Sequence, residues 1–416
     1  MLDALALRLY GHSIFGIIQL FIMTFLKTLK PSGPLVVGCT DIMIGRTKEG
    51  SLLRLFYPTD AKELPQDESQ WTRWYLGDSY SRGLGKFVAP WFLQGTFAWL
   101  LNWQTRYSLV PSAWCSNLLS GDKKLPVVVF SHGLGANRSM YSSVCCQLAS
   151  HGFVVAALEH RDGSACSSFT LNEEGEKEWL EFELHKPGDK QIVLRSKQIG
   201  IRVKECQSTL TIMERLNSGG VENELKNAFD IRQLIGRLDL SRPIIAGHSF
   251  GGCAAINTQL QDKRFKLCVA LDPWLFPMKD SVELCSKMEK HVLCVSTDTF
   301  QTPENLEAMS HLPSQLTSFV TIKGTVHQNQ ADTPFLLGTA GRLIGGTNSK
   351  LDHSLAMEIN NALMMAFIHS HHGLPKGLSD EYGERWDAFV AEHQSKLVYG
   401  LYGTARKMIG WNKTGL

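Results

Sequence analysis

Apolar positions along the chain fall into two kinds of run. Residues 125–130, 153–158, 267–271, 292–296 and 319–322 are short and almost unbroken, and a similar run leads into Gly247. Such continuous hydrophobicity marks strands buried on both faces of a parallel sheet. Two earlier runs, 35–39 and 52–57, flank a polar turn at Thr47-Lys48-Glu49-Gly50. Between the later strands lie stretches with helical spacing, 141–150, 196–216 and 222–236, and a further one, 351–369, follows the last strand and closes the fold. Strand, helix, strand in this order predicts right-handed parallel crossovers. The fold class is therefore α/β, a mostly parallel, doubly wound sheet in one domain. Residues 60–82 are polar and aperiodic, and residues 164–190 read as an exposed charged insertion.

Two apolar segments do not fit the alternation. Residues 14–26 are interrupted by Gln19 and Thr24 and followed by Lys27 and Lys30. The stretch is short for a membrane span, and no small-x-small cleavage pattern follows it. An interfacial amphipathic anchor, a signal-anchor and a helix packed on the domain are all open. Leu2 stands where N-myristoylation needs glycine. Lys30-Pro31-Ser32-Gly33-Pro34 separates this leader, residues 1–30, from a catalytic body of residues 31–416. The second segment, residues 87–103, is rich in aromatic residues and almost uncharged. It reads as a helix, either buried under a lid or laid with its rings at a lipid interface.

Composition narrows the function classes. Of 416 residues, 44% are hydrophobic and 20% charged, enough for a real core. A net charge of +2 with scattered Lys and Arg offers no face for nucleic acid. Ten cysteines include Cys145, Cys146, Cys268 and Cys294 in apolar surroundings, which suggests reduced core residues and the cytosol. The sequons at Asn137 and Asn412 matter only on a secretory route. Gly133 and Gly135 lack the Walker lysine and the dinucleotide fingerprint, and no HExxH or CxxC occurs. The chain is thus expected to use no cofactor and no metal, with His369, His371 and His372 at the surface.

The chemistry concentrates at Gly247-His248-Ser249-Phe250-Gly251. Gly-x-Ser-x-Gly between a strand and a small-residue helix is the nucleophile elbow of α/β-hydrolases, with the serine on a strained turn. A serine hydroxyl needs an imidazole base and a carboxylate to orient that base. In this fold the order is Ser, acid, His, each at a strand end. His327 follows the last strand and takes the base position. Asp272 and Asp298 end successive strands, and spacing alone leans slightly to Asp298, with Asp332 a distant third. The oxyanion would be bound by the Phe250 N–H and by that of Leu134 or Gly135 in the loop Ser131-His132-Gly133-Leu134-Gly135. His248 is expected to pack beneath the elbow.

These residues, with Val37-Gly38-Cys39-Thr40-Asp41, Glu159-His160-Arg161-Asp162, Leu271-Asp272-Pro273-Trp274 and Gly324-Thr325-Val326-His327-Gln328, resemble the platelet-activating-factor acetylhydrolase family in order over residues 35–372. The resemblance implies a calcium-independent hydrolase that releases acetyl, short or oxidised acyl groups from the sn-2 position of phospholipids. It moves the acid to Asp272, puts the oxyanion donors on Leu134 and Phe250, and makes Tyr141, Trp274 and Gln328 pocket residues. It also implies a partner, the phospholipid surface of a membrane or lipoprotein, met by residues 87–103 and 335–344. A cytoplasmic, membrane-associated protein is the expectation, with the secretory pathway as the alternative if the leader is a signal. A generic carboxylesterase or dienelactone-type hydrolase and an inactive lipid-binding relative are the competing readings.

Overall fold

The computed structural model describes residues 26–184, 191–279, 281–337, 346–373 and 381–401. The body begins with an antiparallel hairpin, β1 (Val37–Ile44) and β2 (Ser51–Pro58), about the polar turn. β3 (Trp71–Arg73), two helices α1 (Asp78–Val88) and α2 (Gln94–Thr105), and β4 (Leu109–Trp114) follow. Then come β5 (Leu125–Ser131), α3 (Ser142–Ser150), β6 (Val154–Glu159), a hairpin of β7 (Ser167–Leu171) and β8 (Lys177–Glu181), and α4 (Gln191–Ser218). The second half runs β9 (Leu238–His248), α5 (Phe250–Gln261), β10 (Leu267–Leu271), β11 (Val292–Thr297), α6 (Pro303–Ser310) and β12 (Thr317–Ile322). It closes with α7 (His353–His372), α8 (Glu381–Glu392) and β13 (Leu397–Tyr399).

Eleven strands form one sheet in the order β13-β12-β11-β10-β9-β5-β6-β2-β1-β4-β3. The central ladder from β12 to β6 is parallel throughout. Both of its faces are covered, and the strand period of two shows how. In β5, Val127 and Val129 join the apolar cluster shared with α4 and α5, while Val128 and Phe130 join the one shared with α3 and α7. From β5 the order steps one way to β6 and the other way to β9. A ligand crevice in such a sheet opens at the carboxyl ends of the strands flanking that reversal. Ser131 and His248 stand at those two ends.

Three segments depart from the pattern-based expectation. Residues 87–103 are two helices rather than one, because Pro90 has no N–H to donate and drives Ala89 to an extended conformation (φ −112°, ψ 145°). Residues 222–236 form no α-helix. Asn223 and Asn227 spend their side chains on the β1 backbone, Asn223 Oδ1 accepting the Met43 N–H at 2.9 Å and Asn227 Nδ2 donating to the Asp41 carbonyl. Such side-chain bonds compete with helix formation. Residues 164–184 of the expected insertion are not simply exposed either, and residues 185–190 lie outside the described residues. β7 is largely buried with Phe169 inside, and it passes so close to α1 that a Cβ on Gly83 would lie 1.8 Å from the Cys166 carbonyl oxygen.

All ten cysteines are free, and only Cys115 is not fully buried. Asn137 of the first sequon is buried, with Nδ2 directed to Cys166 Sγ at 3.5 Å. Asn412 and most of the leader lie outside the described residues. Among the described residues no helix is long and apolar enough to cross a membrane.

Candidate active site

Ser249 links β9 to α5 at φ 58°, ψ −119°, a backbone region sparsely populated by residues with a side chain. Close packing imposes the turn. A Cβ on Gly251 would stand 2.0 Å from the Ser131 carbonyl oxygen, and one on Gly247 would stand 2.3 Å from the Gly251 oxygen. The elbow therefore lies directly against the end of β5, and only glycine fits at both positions. Phe250 is the first residue of α5, so no carbonyl one turn earlier receives its N–H.

His327 opens a short 3₁₀ turn (His327–Gln330) after β12, held by the Val326 N–H on Asn329 Oδ1 at 2.8 Å. Its Nδ1 is 2.7 Å from Asp272 Oδ2. The fully buried Asp272 carboxylate also accepts the Thr297 N–H at 2.9 Å and the Thr297 hydroxyl at 2.6 Å. Asp298, which spacing favoured, instead accepts the Gly324 N–H at 2.7 Å and braces the turn ahead of His327. Asp332 caps α3, accepting the Ser142 and Ser143 N–H groups at 2.8 and 3.0 Å and the Trp74 indole N–H at 3.1 Å. Burial pushes its carboxyl up to about 6. On the other side of the base, the Phe300 ring stacks on His327 with centroids 3.8 Å apart.

The loop after β5 has three consecutive N–H groups, and their partners distinguish them. Gly133 donates to Tyr141 Oη at 3.1 Å and Gly135 donates to the Ser164 carbonyl at 2.8 Å. Among the described residues no protein group receives the Leu134 N–H. The loop is held from below by Arg202 of α4, a fully buried guanidinium. It donates to the His132 carbonyl at 2.5 Å and to Ser164 Oγ at 2.6 Å, pairs with Asp162 at 3.2 Å, and lies 4.6 Å over the Phe250 ring. Ser131 Oγ is 2.7 Å from His160 Nε2, whose Nδ1 is 2.6 Å from Glu205 Oε2. Burial holds His160 well below the ordinary histidine range and raises Glu205 to about 7.

This explains the Glu159-His160-Arg161-Asp162 segment, which the motif left without a role. Glu159 joins Arg138 and Tyr80 of α1, His160 secures Ser131, and Asp162 secures Arg202. Arg202 and Thr297 carry no motif of their own, and only the fold shows what they touch.

A cavity of about 380 Å³ opens over these groups. Ser249, His327, Leu134, Tyr141, Trp274 and Gln328 line it, while Asp272 and Phe250 stand behind its wall. Most of the remaining wall is apolar, including Leu84, Phe87 and Val88 of α1, Phe97, Leu100 and Leu101 of α2, and Leu336 and Leu337, with His248, Gln104 and Thr333 as its polar members. The corner between α1 and α2 presents Trp91, Phe92 and Leu93 to solvent, with Trp99 on the outer side of α2. Residues 335–337 of the second expected surface segment are described, and the rest of it lies outside the described residues.

The arrangement can bind an ester with an apolar arm, and the comparisons agree in kind. The family described as platelet-activating factor acetylhydrolase, isoform II, matches residues 23–397. A platelet-activating factor acetylhydrolase of Bos taurus is 35% identical over 400 residues, covering 94% of this chain and 86% of that protein. One of Gallus gallus is 33% identical over 382 residues, covering 86% and 85%. Among solved structures, a ferulic acid esterase from Streptomyces cinnamoneus superposes with a TM-score of 0.59 at 18% identity, over 90% of this chain and 99% of that one, which shows the fold alone. The chain belongs to the platelet-activating factor acetylhydrolase isoform II family and is an ester hydrolase of the α/β-hydrolase fold.

Proposed function

We propose that the chain is a serine hydrolase that cleaves the sn-2 acetyl, short or oxidised acyl ester of platelet-activating factor and related phospholipids. Ser249 Oγ attacks the ester carbonyl while His327 takes its proton and then passes it to the leaving glycerol oxygen. Asp272 holds the imidazole in the tautomer that leaves Nε2 free to act as base. The Leu134 and Phe250 N–H groups bind the oxyanion of each tetrahedral intermediate. Water, activated by the same imidazole, then releases the acyl group from Ser249. Tyr141, Trp274 and Gln328 border the bound ester. Each step is assigned to a group of the chain, so activity is expected to survive a calcium chelator.

The observation that carries this reading is the His327–Asp272 contact of 2.7 Å at the wall of an apolar cavity that Ser249 also lines. The test is hydrolysis of a short sn-2-acyl phosphatidylcholine by wild type and Ser249→Ala, with fluorophosphonate labelling of both. Loss of turnover and labelling in the variant is expected; a variant as active as wild type would end the proposal. Labelling without turnover of any phospholipid would favour the generic carboxylesterase reading.

The same proposal sets the corner between α1 and α2 against a lipid surface. Trp91 is 84% exposed and Phe92 and Trp99 are each 64% exposed, an aromatic ridge on the outer side of the cavity wall. Exposed apolar ground of this kind marks an interaction surface, and aromatic rings favour the membrane–water boundary. We place the protein in the cytoplasm, bound to membranes. Fractionation of the full chain against residues 31–416 tests the leader, and equal solubility would dismiss it as an anchor.

A further inference from the structure

A line of hydrogen bonds beside Ser249 gives His248 more than a packing role. Its Nδ1 is 2.8 Å from Tyr141 Oη and its Nε2 is 3.2 Å from the main-chain oxygen of His327. Tyr141 Oη in turn receives the Gly133 N–H at 3.1 Å. Chemistry fixes the direction of every link. A backbone N–H only donates, so the Tyr141 oxygen accepts from Gly133. A carbonyl only accepts, so His248 Nε2 carries a proton. In a neutral ring Nδ1 is then bare, and the Tyr141 hydroxyl donates to it. Burial, and after it the neighbouring His327, holds His248 well below its ordinary range, which keeps the ring neutral.

The two ends of this line belong to segments that share no ladder. Gly133 follows β5 and His327 follows β12, with β9, β10 and β11 between them in the sheet. We propose that His248 is a positioning residue, fixing the loop of the base against the oxyanion loop through Gly133 N–H, Tyr141 Oη–H, its own ring and the His327 carbonyl. The proposal rests on the catalytic reading above. The ring contributes a second effect. It lies 4.4 Å from the His327 ring, centroid to centroid, so its neutrality spares His327 a like charge when it takes the Ser249 proton. It also gives Tyr141 a duty other than touching substrate, since both hydrogen-bonding directions of its hydroxyl are already occupied.

Three variants separate the links. Tyr141→Phe removes one oxygen and breaks both of its bonds. His248→Asn offers an amide oxygen near the place of Nδ1 and loses the donor to His327. His248→Gln offers an amide N–H near the place of Nε2. On a soluble, monomeric short-acyl ester, kcat of Tyr141→Phe and His248→Asn should fall about 10- to 100-fold, the cost of misplacing reacting groups by a fraction of an ångström to one ångström. KM should stay within about twofold, because Tyr141→Phe keeps the ring that borders the bound ester and removes only a hydroxyl already bonded to Gly133 and His248. Fluorophosphonate labelling should slow in parallel. His248→Gln should recover part of the loss relative to His248→Asn, and the double variant Tyr141→Phe/His248→Asn should be no slower than the slower single, since both cut one line.

Wild-type kcat in Tyr141→Phe would overturn the proposal. So would a raised KM at unchanged kcat, which would give the Tyr141 hydroxyl to the substrate rather than to His248, or additive losses in the double variant. If His248→Asn does not fold, the single-atom change in Tyr141→Phe carries the test. Ser249→Ala distinguishes the two levels: an inactive Ser249→Ala beside unimpaired Tyr141→Phe refutes the positioning role alone, and an active one refutes the catalytic reading.

Discussion

Nδ1 of His327 meets Oδ2 of Asp272 at 2.7 Å across 55 residues of chain, while Asp298, closer in sequence, gives its carboxylate to the Gly324 N–H. The two aspartates end adjacent strands, yet they do different work, and substitution should show it. Asp272→Asn should lower kcat by about 10⁴-fold, the loss seen when a triad loses its orienting carboxylate and the imidazole takes the wrong tautomer. Asp298→Asn keeps an amide oxygen for Gly324 and should lose less than about tenfold. Turnover of a short-acyl ester measures both, and a larger loss at Asp298 would reverse the assignment.

Gly251 faces the Ser131 carbonyl oxygen with no room for a methyl group. Gly251→Ala forces the elbow and the oxyanion loop apart, and overpacking of this kind costs about 1–3 kcal/mol or more. Its Tm and kcat should fall together. Gly95, in α2, has open space around it, and Gly95→Ala should be neutral or gain up to about 1 kcal/mol by stiffening the unfolded chain. A thermal melt of the pair separates the packing effect from the backbone effect.

Asp332 supplies a pH signature. Burial raises its carboxyl from 3.8 to about 6, so the folded state holds this proton more tightly than the unfolded chain. Stability from this group is full below pH 4 and is lost as pH rises through 6. The stability difference between wild type and Asp332→Asn should therefore shift against wild type from pH 4 to pH 7, by roughly 3 kcal/mol at most. Denaturant unfolding at both pH values checks it; a difference that ignores pH would mean that the carboxyl titrates normally.

Arg202 and Asp162 are a fully buried pair beneath the oxyanion loop. Arg202→Met leaves Asp162 without its cation and the His132 carbonyl without its donor. Breaking such a pair from one side costs about 3–5 kcal/mol. Denaturant midpoints should show the loss, and Arg202→Met/Asp162→Asn should recover part of it.

The aromatic ridge should separate binding from chemistry. Trp91→Ser/Phe92→Ser/Trp99→Ser removes three exposed rings, each worth about 1 kcal/mol when partly inserted in lipid. Partitioning onto phosphatidylcholine vesicles should weaken about 100-fold, with kcat on a soluble ester unchanged. Equal partitioning by both proteins would refute the surface assignment.

The parts of this site that were legible in the sequence are those under local constraint. Gly247 and Gly251 are required by close approach at one turn, and the unbroken apolar runs of β5, β9, β10 and β11 are required by burial on two faces. Pro90 was a local signal too, outweighed in the pattern by the aromatic residues around it. What tertiary structure decided are choices among equivalent groups. Which aspartate reaches His327 depends on how two strand-end loops turn. Asp272, at φ 42°, turns its carboxylate onto Thr297 and His327 together. Which N–H of Gly133, Leu134 and Gly135 stays free depends on Tyr141 and Ser164, partners that arrive from other loops. The role of His248, beside the nucleophile in sequence, depends on Tyr141 before it and His327 far after it. Hydrogen bonds are directional and short, so their assignment waits until the fold brings distant donors and acceptors within 3 Å of one another.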